Sequence, residues 1–401
     1  MNWSTGELVD ELTNYQLPIT NYELPITSLR LLSLFLSLSL FLAACNSPTP
    51  TVAPTPALTA RVSTAVAAAT ATPAASAATA TTAPASASAT PAAATLTLGV
   101  VSGITATTGV LDAAQAAAKG FGWTVQSDTS GANGLTRLAK GGAQVIVADG
   151  AGLEAATRAA AVAFPKTYFV GLGQAGQGDK LPNLLSLGAG PTREDQLGFM
   201  DGVVAGYATQ AKVVTGVGYT TDATGLKYRN GFLHGVRLSC SRCRVDFVDL
   251  SDLTDGAAAA AKAKLNASLS SDVVFAAAGA ASAPALQAAA AAGALVAGVN
   301  ADIYTTIFGG GGAQGADKVL ASAYFDPGAA VVAALKAYHA GTAWTGDMPY
   351  SAATGALVLA PYHVSTDVLS DLDRSDTLAA LAQLADGSLD TGIDLATGNE
   401  L

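Results

Sequence analysis

The sequence predicts an α/β protein of two Rossmann-like lobes joined by a hinge that the chain crosses several times. Three observations predict it. From residue 96 onward, short apolar runs alternate with alanine-rich stretches of helical length. The runs are apolar almost throughout rather than at every second position, as in parallel strands covered by helices on both faces. The ten runs are many for one open sheet, and the strand–helix cycle starts afresh near residue 213.

In chain order the strands are expected at 96–102, 123–127, 144–149, 167–171, 184–187, 213–219, 245–250, 273–276, 295–299 and 319–324. Helices are expected between them at 110–119, 134–139, 153–163, 194–209, 227–237, 256–269 and 283–291, with a last one at 327–339. The helix at 194–209 carries Leu197, Val203, Val204 and Tyr207 at helical spacing and closes the first cycle. The first lobe is therefore assigned to 95–210 with part of 327–361, the second to 211–326, and 362–401 to a C-terminal tail of helix and loop. Crossings between lobes are expected near 210–212, 316–319 and 342–351. Two such lobes bind ligands in the cleft between them, at the carboxyl ends of the strands.

The first 94 residues do not read as fold. Residues 31–44, LLSLFLSLSLFLAA, form an apolar run of 14 behind Arg30, whereas a membrane-spanning helix needs about 20 residues. The run fits the core of a signal peptide, and its LAAC ending resembles the lipobox of bacterial lipoproteins, so Cys45 is the expected site of lipidation. Residues 1–28 carry four acids, no positive charge and the tandem repeat NYQLPIT–NYELPIT; they are read as an extension from a start assigned too far upstream. Residues 45–94 are almost entirely Ala, Thr, Pro and Ser after the cysteine, with Arg61 the one charge. Such a stretch buries too little side chain to offset its ordering entropy and is expected to be a disordered tether. Removing residues 1–44 takes away four acids and one arginine, so the net charge of −10 becomes −7.

Composition excludes several functions. The chain is acidic and has only 20 Lys and Arg, against a nucleic-acid footprint. Three His and three Cys leave little for a metal cluster. GLGQAG at 171–176 spells a dinucleotide motif, but the segment that follows, QGDKLP, does not open a helix onto which a pyrophosphate could dock. CSRC at 240–243 ends a helix instead of starting one, which disfavours a redox role. With Cys45 lipidated, Cys240 and Cys243 form an even pair and are expected to make a small structural disulfide. His234, His339 and His363 are isolated, and no nucleophile elbow, HExxH or P-loop is present. Phe308 and the four glycines after it read as a mobile loop. No catalytic residue, cofactor or metal is expected.

Several segments together resemble the basic membrane protein family, the nucleoside-receptor-like solute-binding lipoproteins of ABC importers. DQLGFMDG (195–202) is similar to that family's ExxGFLAG helix, and KYRNGFLHGV (227–236) to its RFxxGFxxGV helix. DVVFAAAG (272–279), AGVNAD (297–302) and ADKVLAS (316–322) resemble its DVIFxAAG, GVDxD and PDxVLTS segments. The resemblance covers about residues 96–361. It implies a type I periplasmic-binding-protein-like fold, a small polar, nucleoside-like ligand, and an ABC permease and ATPase as partners. The protein would be an extracytoplasmic monomer held to the membrane by its lipid. A ligand-sensing or surface lipoprotein of the same fold, not coupled to transport, is the alternative.

This sequence departs from the family at its ligand positions. Ser102 to Gly109, after the first strand, contains no acid. Asn300 stands where the family uses an aspartate for ribose, Phe325 where it has a lysine, and Gly173–Gln174 near the acid that often ends the fourth strand. Carboxylates suit ribose diols because an ionised oxygen accepts strong hydrogen bonds. The expected cleft residues are Ser102, Thr105, Asp149, Gln174, Thr220, Arg229, Gly279, Asn300 and Phe325, with Asn300 and Gln174 hydrogen-bonding the ligand and Phe325 stacking on it.

Overall fold

A computed structural model describes residues 95–174, 176, 181–363 and 367–401; Cys45, the signal segment and the tether lie outside the described residues. The chain lays down β1 (Thr97–Ser102), α1 (Val110–Gly120), β2 (Thr124–Asp128), α2 (Ala132–Lys140), β3 (Val145–Asp149), α3 (Glu154–Ala163), β4 (Tyr168–Leu172) and β5 (Leu184–Leu187), then α4 (Glu194–Ala208). The cycle repeats as β6 (Val213–Gly218), α5 (Ala223–Ser239), β7 (Arg244–Asp249), α6 (Gly256–Leu269), β8 (Val273–Ala276), α7 (Ser282–Ala291), β9 (Leu295–Val299), the single turn α8 (Ile303–Thr306) and β10 (Val319–Phe325). It ends with α9 (Pro327–His339), β11 (Gly346–Met348), β12 (Leu357–Leu359) and α10 (Asp371–Asp386). All ten expected strands and eight expected helices are present. The largest shift is at α5, which starts four residues early because Asp222 caps it, accepting from the Gly225 N–H at 3.0 Å.

The two sheets repeat one topology, β2-β1-β3-β4-β5-β11 and β7-β6-β8-β9-β10-β12. Every pairing is parallel except that of β10 with β12. Helices cover both faces of each sheet, which is why the strands carry apolar side chains on both. In the first lobe, α1 and α9 pack on one face and α2 and α3 on the other. In the second, α4 and α5 pack on one face and α6 and α7 on the other. Among the described residues no helix is long and apolar enough to cross a membrane.

α4 corrects the expected lobe boundary. The sequence reading placed it in the first lobe, but all but two of its 15 residues are buried, and its partners are α5 and the second sheet. The reason is backbone contact. A Cβ on Gly198 or Gly202 would collide with the carbonyl oxygen of Tyr228 or Phe232, and one on Gly231 or Gly235 with that of Asp195 or Phe199. Only glycine allows the axes this close. The first crossing therefore precedes α4, at residues 188–193, rather than at 210–212. The second follows β10, at Phe325 and Asp326, rather than at 316–319. The third joins β11 to β12 at 349–356, overlapping the end of the expected 342–351. The short strands β11 and β12, three residues each, had no readable pattern.

The expected tail, described at residues 362–363 and 367–401, is not an appendage. α10 packs on α4, and the segment after it lies along α5. Thr391 Oγ1 donates to Asp195 at 2.6 Å, Asn230 Nδ2 donates to the Gly398 carbonyl at 2.7 Å, and Glu400 faces His234 at 3.3 Å. Cys240 and Cys243 form a disulfide in the turn between α5 and β7, with Cα atoms 5.4 Å apart.

Two predictions follow from the α4 packing. Gly235→Ala is expected to cost on the order of 3 kcal/mol, the upper range for overpacking a rigid core, whereas Gly120→Ala, with open space at its Cβ, should cost little; denaturant midpoints compare them. Asp201 on α4 is fully buried, and neither carboxylate oxygen has a hydrogen-bond partner. Burial pushes its pKa well above the usual carboxylate range; the Ala323 N–H favours the anion, but from a geometry short of a hydrogen bond, and burial wins. The folded chain thus holds this proton more tightly than the unfolded chain. Stability from the protonated group is complete below about pH 4 and is lost as pH climbs through the raised native value. Asp201→Asn should gain stability relative to the native chain between pH 5 and pH 8; parallel midpoints at the two pH values would refute this.

Candidate ligand-binding cleft

The three crossings all join carboxyl ends of strands. The first leaves the carboxyl end of β5, the second that of β10, and the third that of β11. The carboxyl edges of the two sheets therefore face each other across the hinge. Hydrogen bonds tie the crossings together. Gln196 Oε1 accepts from the Ala352 N–H at 2.8 Å, linking the start of α4 to the third crossing, and the Asp326 N–H donates to the Ala356 carbonyl at 2.8 Å, linking the second to the third. Lys227 Nζ on α5 reaches back to the first crossing, donating to the Thr192 carbonyl at 2.9 Å and to Glu194 at 3.0 Å. Arg193 pairs with buried Asp195 at 2.8 Å.

On the second lobe, the carboxyl ends of β6, β8 and β9 open into a cavity of about 480 Å³. Tyr219, Tyr228, Leu253, Val299, Ile303 and Ile307 are among the residues that line it, with Gly279 and Asn300; Asn300 is exposed, at its rim. Tyr228 Oη donates to Asn300 Oδ1 at 2.9 Å. Burial raises the Tyr228 pKa, and the bond to Asn300 opposes this only in part, so the hydroxyl remains a donor. Asn300 sits in the left-handed region at φ 72°, a conformation Asn adopts more readily than most residues. Beyond it, Asp302 caps α8, accepting from the Tyr304 N–H at 3.0 Å. His363 Nε2 meets the same carboxylate at 3.0 Å and stacks on Tyr304 with ring centroids 4.0 Å apart. The turn that supplies Ile303, Thr306 and Ile307 to the cavity is thus clamped from outside.

On the first lobe, Asp149 ends β3 and Ser102 ends β1 directly beside it. Asp149 is 2% exposed; its Oδ2 accepts from the Thr107 N–H at 3.0 Å, and its Oδ1 has no partner. Burial raises its pKa, and the Thr107 contacts offset part of the rise. Thr105 Oγ1, exposed, donates to the Ala151 carbonyl at 3.3 Å and ties the β1–α1 loop to the β3 end. Gln174, past β4, is also 2% exposed, donates through Nε2 to the Ala148 carbonyl at 3.0 Å and leaves Oε1 without a partner. Tyr350, in the third crossing, packs against Gly188; burial, then the charge of Asp149, pushes its pKa up to about 12. Buried polar atoms without partners are rare and mark places where a water or ligand belongs.

The expected site residues thus fall into separate groups. Gly279 and Asn300 line the second-lobe cavity. Ser102, Thr105, Asp149 and Gln174 gather on the facing edge. Thr220 and Arg229 instead line a different pocket of about 400 Å³ with Phe247 and Asp249; Thr220 bonds Asp249 at 2.6 Å, and Arg229 lies 5.6 Å over the Phe247 ring. Phe325 does not line the cavity: it sits at the second crossing and packs against the cores of both lobes. Tyr219, Tyr228, Tyr350 and the His363–Asp302 pair were missed. Tyr228 lay in plain view inside KYRNGFLHGV, but a tyrosine within a helix gives no sign of which face meets a cavity. The GLGQAG segment ends β4, and the next described element is a strand, not a helix. Among the described residues no group of three or more His, Cys, Asp or Glu could hold a metal.

The model of the Bmp family, ABC transporter substrate-binding proteins of the PnrA-like type, matches residues 102–373. The chain belongs to this family. An ABC transporter solute-binding protein from Conexibacter woesei is similar in fold, with a TM-score of 0.51 at 19% identity over 74% of this chain and 98% of its own. A transcriptional activator of the comK gene from Bacillus halodurans gives 0.49 at 16% identity over 73% and 99%, and an ABC solute-binding protein from Aeropyrum pernix 0.41 at 16% over 74% and 92%. No curated protein sequence matches the chain. As a member of the family, this is an ABC-type substrate-binding protein with two α/β lobes.

His363→Ala removes both the hydrogen bond to Asp302 and the ring contact with Tyr304 that hold α8. Amide hydrogen exchange at residues 303–308 should quicken by about tenfold, the scale of one lost local restraint, while exchange in β1, β3 and β4 stays unchanged.

Proposed function

We propose that this protein is a lipid-anchored extracytoplasmic receptor of an ABC importer. It captures a small, nucleoside-like solute between its lobes, does not transform it, and hands it to a membrane permease driven by its ATPase. The observation that carries this reading is the cavity at the strand ends of the second lobe, facing the Asp149–Gln174 edge of the first, in a chain of a substrate-binding family. Closure would bring the two edges together by rotation at residues 188–193, 325–326 and 349–356, with the ligand stabilising the closed state. What supports the anchor is the apolar run before Cys45 and the tether that follows it. The receptor is taken to act as a monomer.

A thermal-shift screen of the purified protein against nucleosides, bases, sugars and amino-acid derivatives tests this. A solute at about a hundred times its Kd should add roughly 2.7 kcal/mol of stability. If no class shifts the melting temperature, the solute-binding reading fails.

A further inference from the structure

We infer that the second-lobe cavity takes the uncharged, flat, base-like part of the solute and reads it through the Asn300 amide, so that the ribose contributes little to binding. This rests on the receptor reading above and narrows it. No Asp, Glu, Lys, Arg or His side chain is among the residues that line the cavity. A phosphate or carboxylate placed there would lose its hydration without gaining a counter-charge. A vicinal diol is held best by an ionised acceptor; this cavity offers none, and the Asp149 carboxyl of the facing edge is 2% exposed, with burial disfavouring its ionised form. Its walls are mainly aliphatic side chains and two tyrosines, surfaces that bury a planar ring, with the uncharged hydroxyls of Thr224, Ser282 and Thr306 among them. Its volume of about 480 Å³ falls within the usual range for small-molecule pockets.

The polar reader is fixed before any ligand arrives. The Tyr228 hydroxyl donates to Asn300 Oδ1 at 2.9 Å, which settles the orientation of the amide and leaves its N–H₂ as the group that donates outward. The Asn300 backbone N–H is itself bound to the Ala323 carbonyl at 3.0 Å, so the residue is anchored at both ends. A fixed donor on the rim of such a cavity matches a carbonyl oxygen or ring nitrogen of a neutral heteroaromatic ring. It also discriminates, because a ligand that covers it without offering that acceptor leaves the donor unpaired.

Titration calorimetry of the purified chain tests the inference with adenine, hypoxanthine and uracil, their ribonucleosides, their 5′-monophosphates, and ribose. At least one base should bind within about threefold of its own nucleoside and at least about a hundredfold more tightly than its monophosphate. Asn300→Asp should weaken that base by at least about tenfold, the scale of one lost hydrogen bond once the ligand covers the amide, with the melting temperature retained. Tyr228→Phe should weaken it less, because it frees the amide without removing it. A nucleoside that binds more than about tenfold better than its base, a monophosphate or ribose that binds comparably, or an Asn300→Asp protein with undiminished base affinity would each overturn the inference. If this panel is silent while sugars or amino-acid derivatives stabilise the protein, the inference falls and the receptor reading stands; if every class is silent, both fall.

Discussion

The backbone-to-backbone contact of α4 with α5 is the constraint on which the rest of the structure depends. Glycines on both helices let main-chain atoms of one approach those of the other, and larger residues would push the axes apart. This draws α4 into the second lobe and moves the chain's first crossing ahead of it, to residues 188–193. The carboxyl end of β5 then leads straight to the carboxyl edge of the second sheet. The facing of the two sheet edges, and with it the cleft, follows from where this helix is allowed to sit.

The hinge is held by charged groups that are mostly buried yet all engaged. Lys227 answers Glu194 and the Thr192 carbonyl, and Arg193 and Thr391 both answer Asp195. Removing one member of such a set strands a charge away from water, which costs far more than the intact pair contributes. These contacts give little net stability and much definition: they fix the angle at which the strands leave each lobe. Gln196 and Asp326 extend the same fastening to the third crossing with neutral and backbone bonds.

The architecture was largely legible in the sequence, the site only in outline. Parallel strands buried on both faces announce themselves as unbroken apolar runs, and the restart at residue 213 announced the second sheet. The segments 195–202 and 227–236 stood out as family-like, but their polar residues Asp195, Lys227, Asn230 and His234 serve the hinge and the 391–400 segment rather than the cleft. The crossings were misplaced because a helix's sequence does not say which sheet its glycines bring it to. Asp149 and Gln174 could be named as strand-end residues, but not that each would keep one oxygen without a partner. His363 reaches Asp302 across 61 positions, a pairing with no local signature. Thr220, just past β6, and Arg229, within α5, were expected in the cleft, but both turn toward β7, where Thr220 bonds Asp249 and Arg229 lies over Phe247.

The bond from Thr391 to Asp195 spans 196 positions, and that from Gly398 to Asn230 spans 168. Asp195 lies on the hinge side of α4 and Asn230 on the face of α5 that residues 391–400 cover. Both helices can therefore collapse onto their sheet early, but these polar partners lie 196 and 168 positions further along the chain. Closing loops of that length is slow, because the entropy is lost before the contacts form. The second lobe is thus complete only once residues 391–400 have docked, and a chain cut short before residue 391 would carry a buried, half-answered arginine–aspartate pair at the hinge. The span ties the crossings between the lobes to a segment made much later, so the hinge stays unfinished until residues 391–400 are in place.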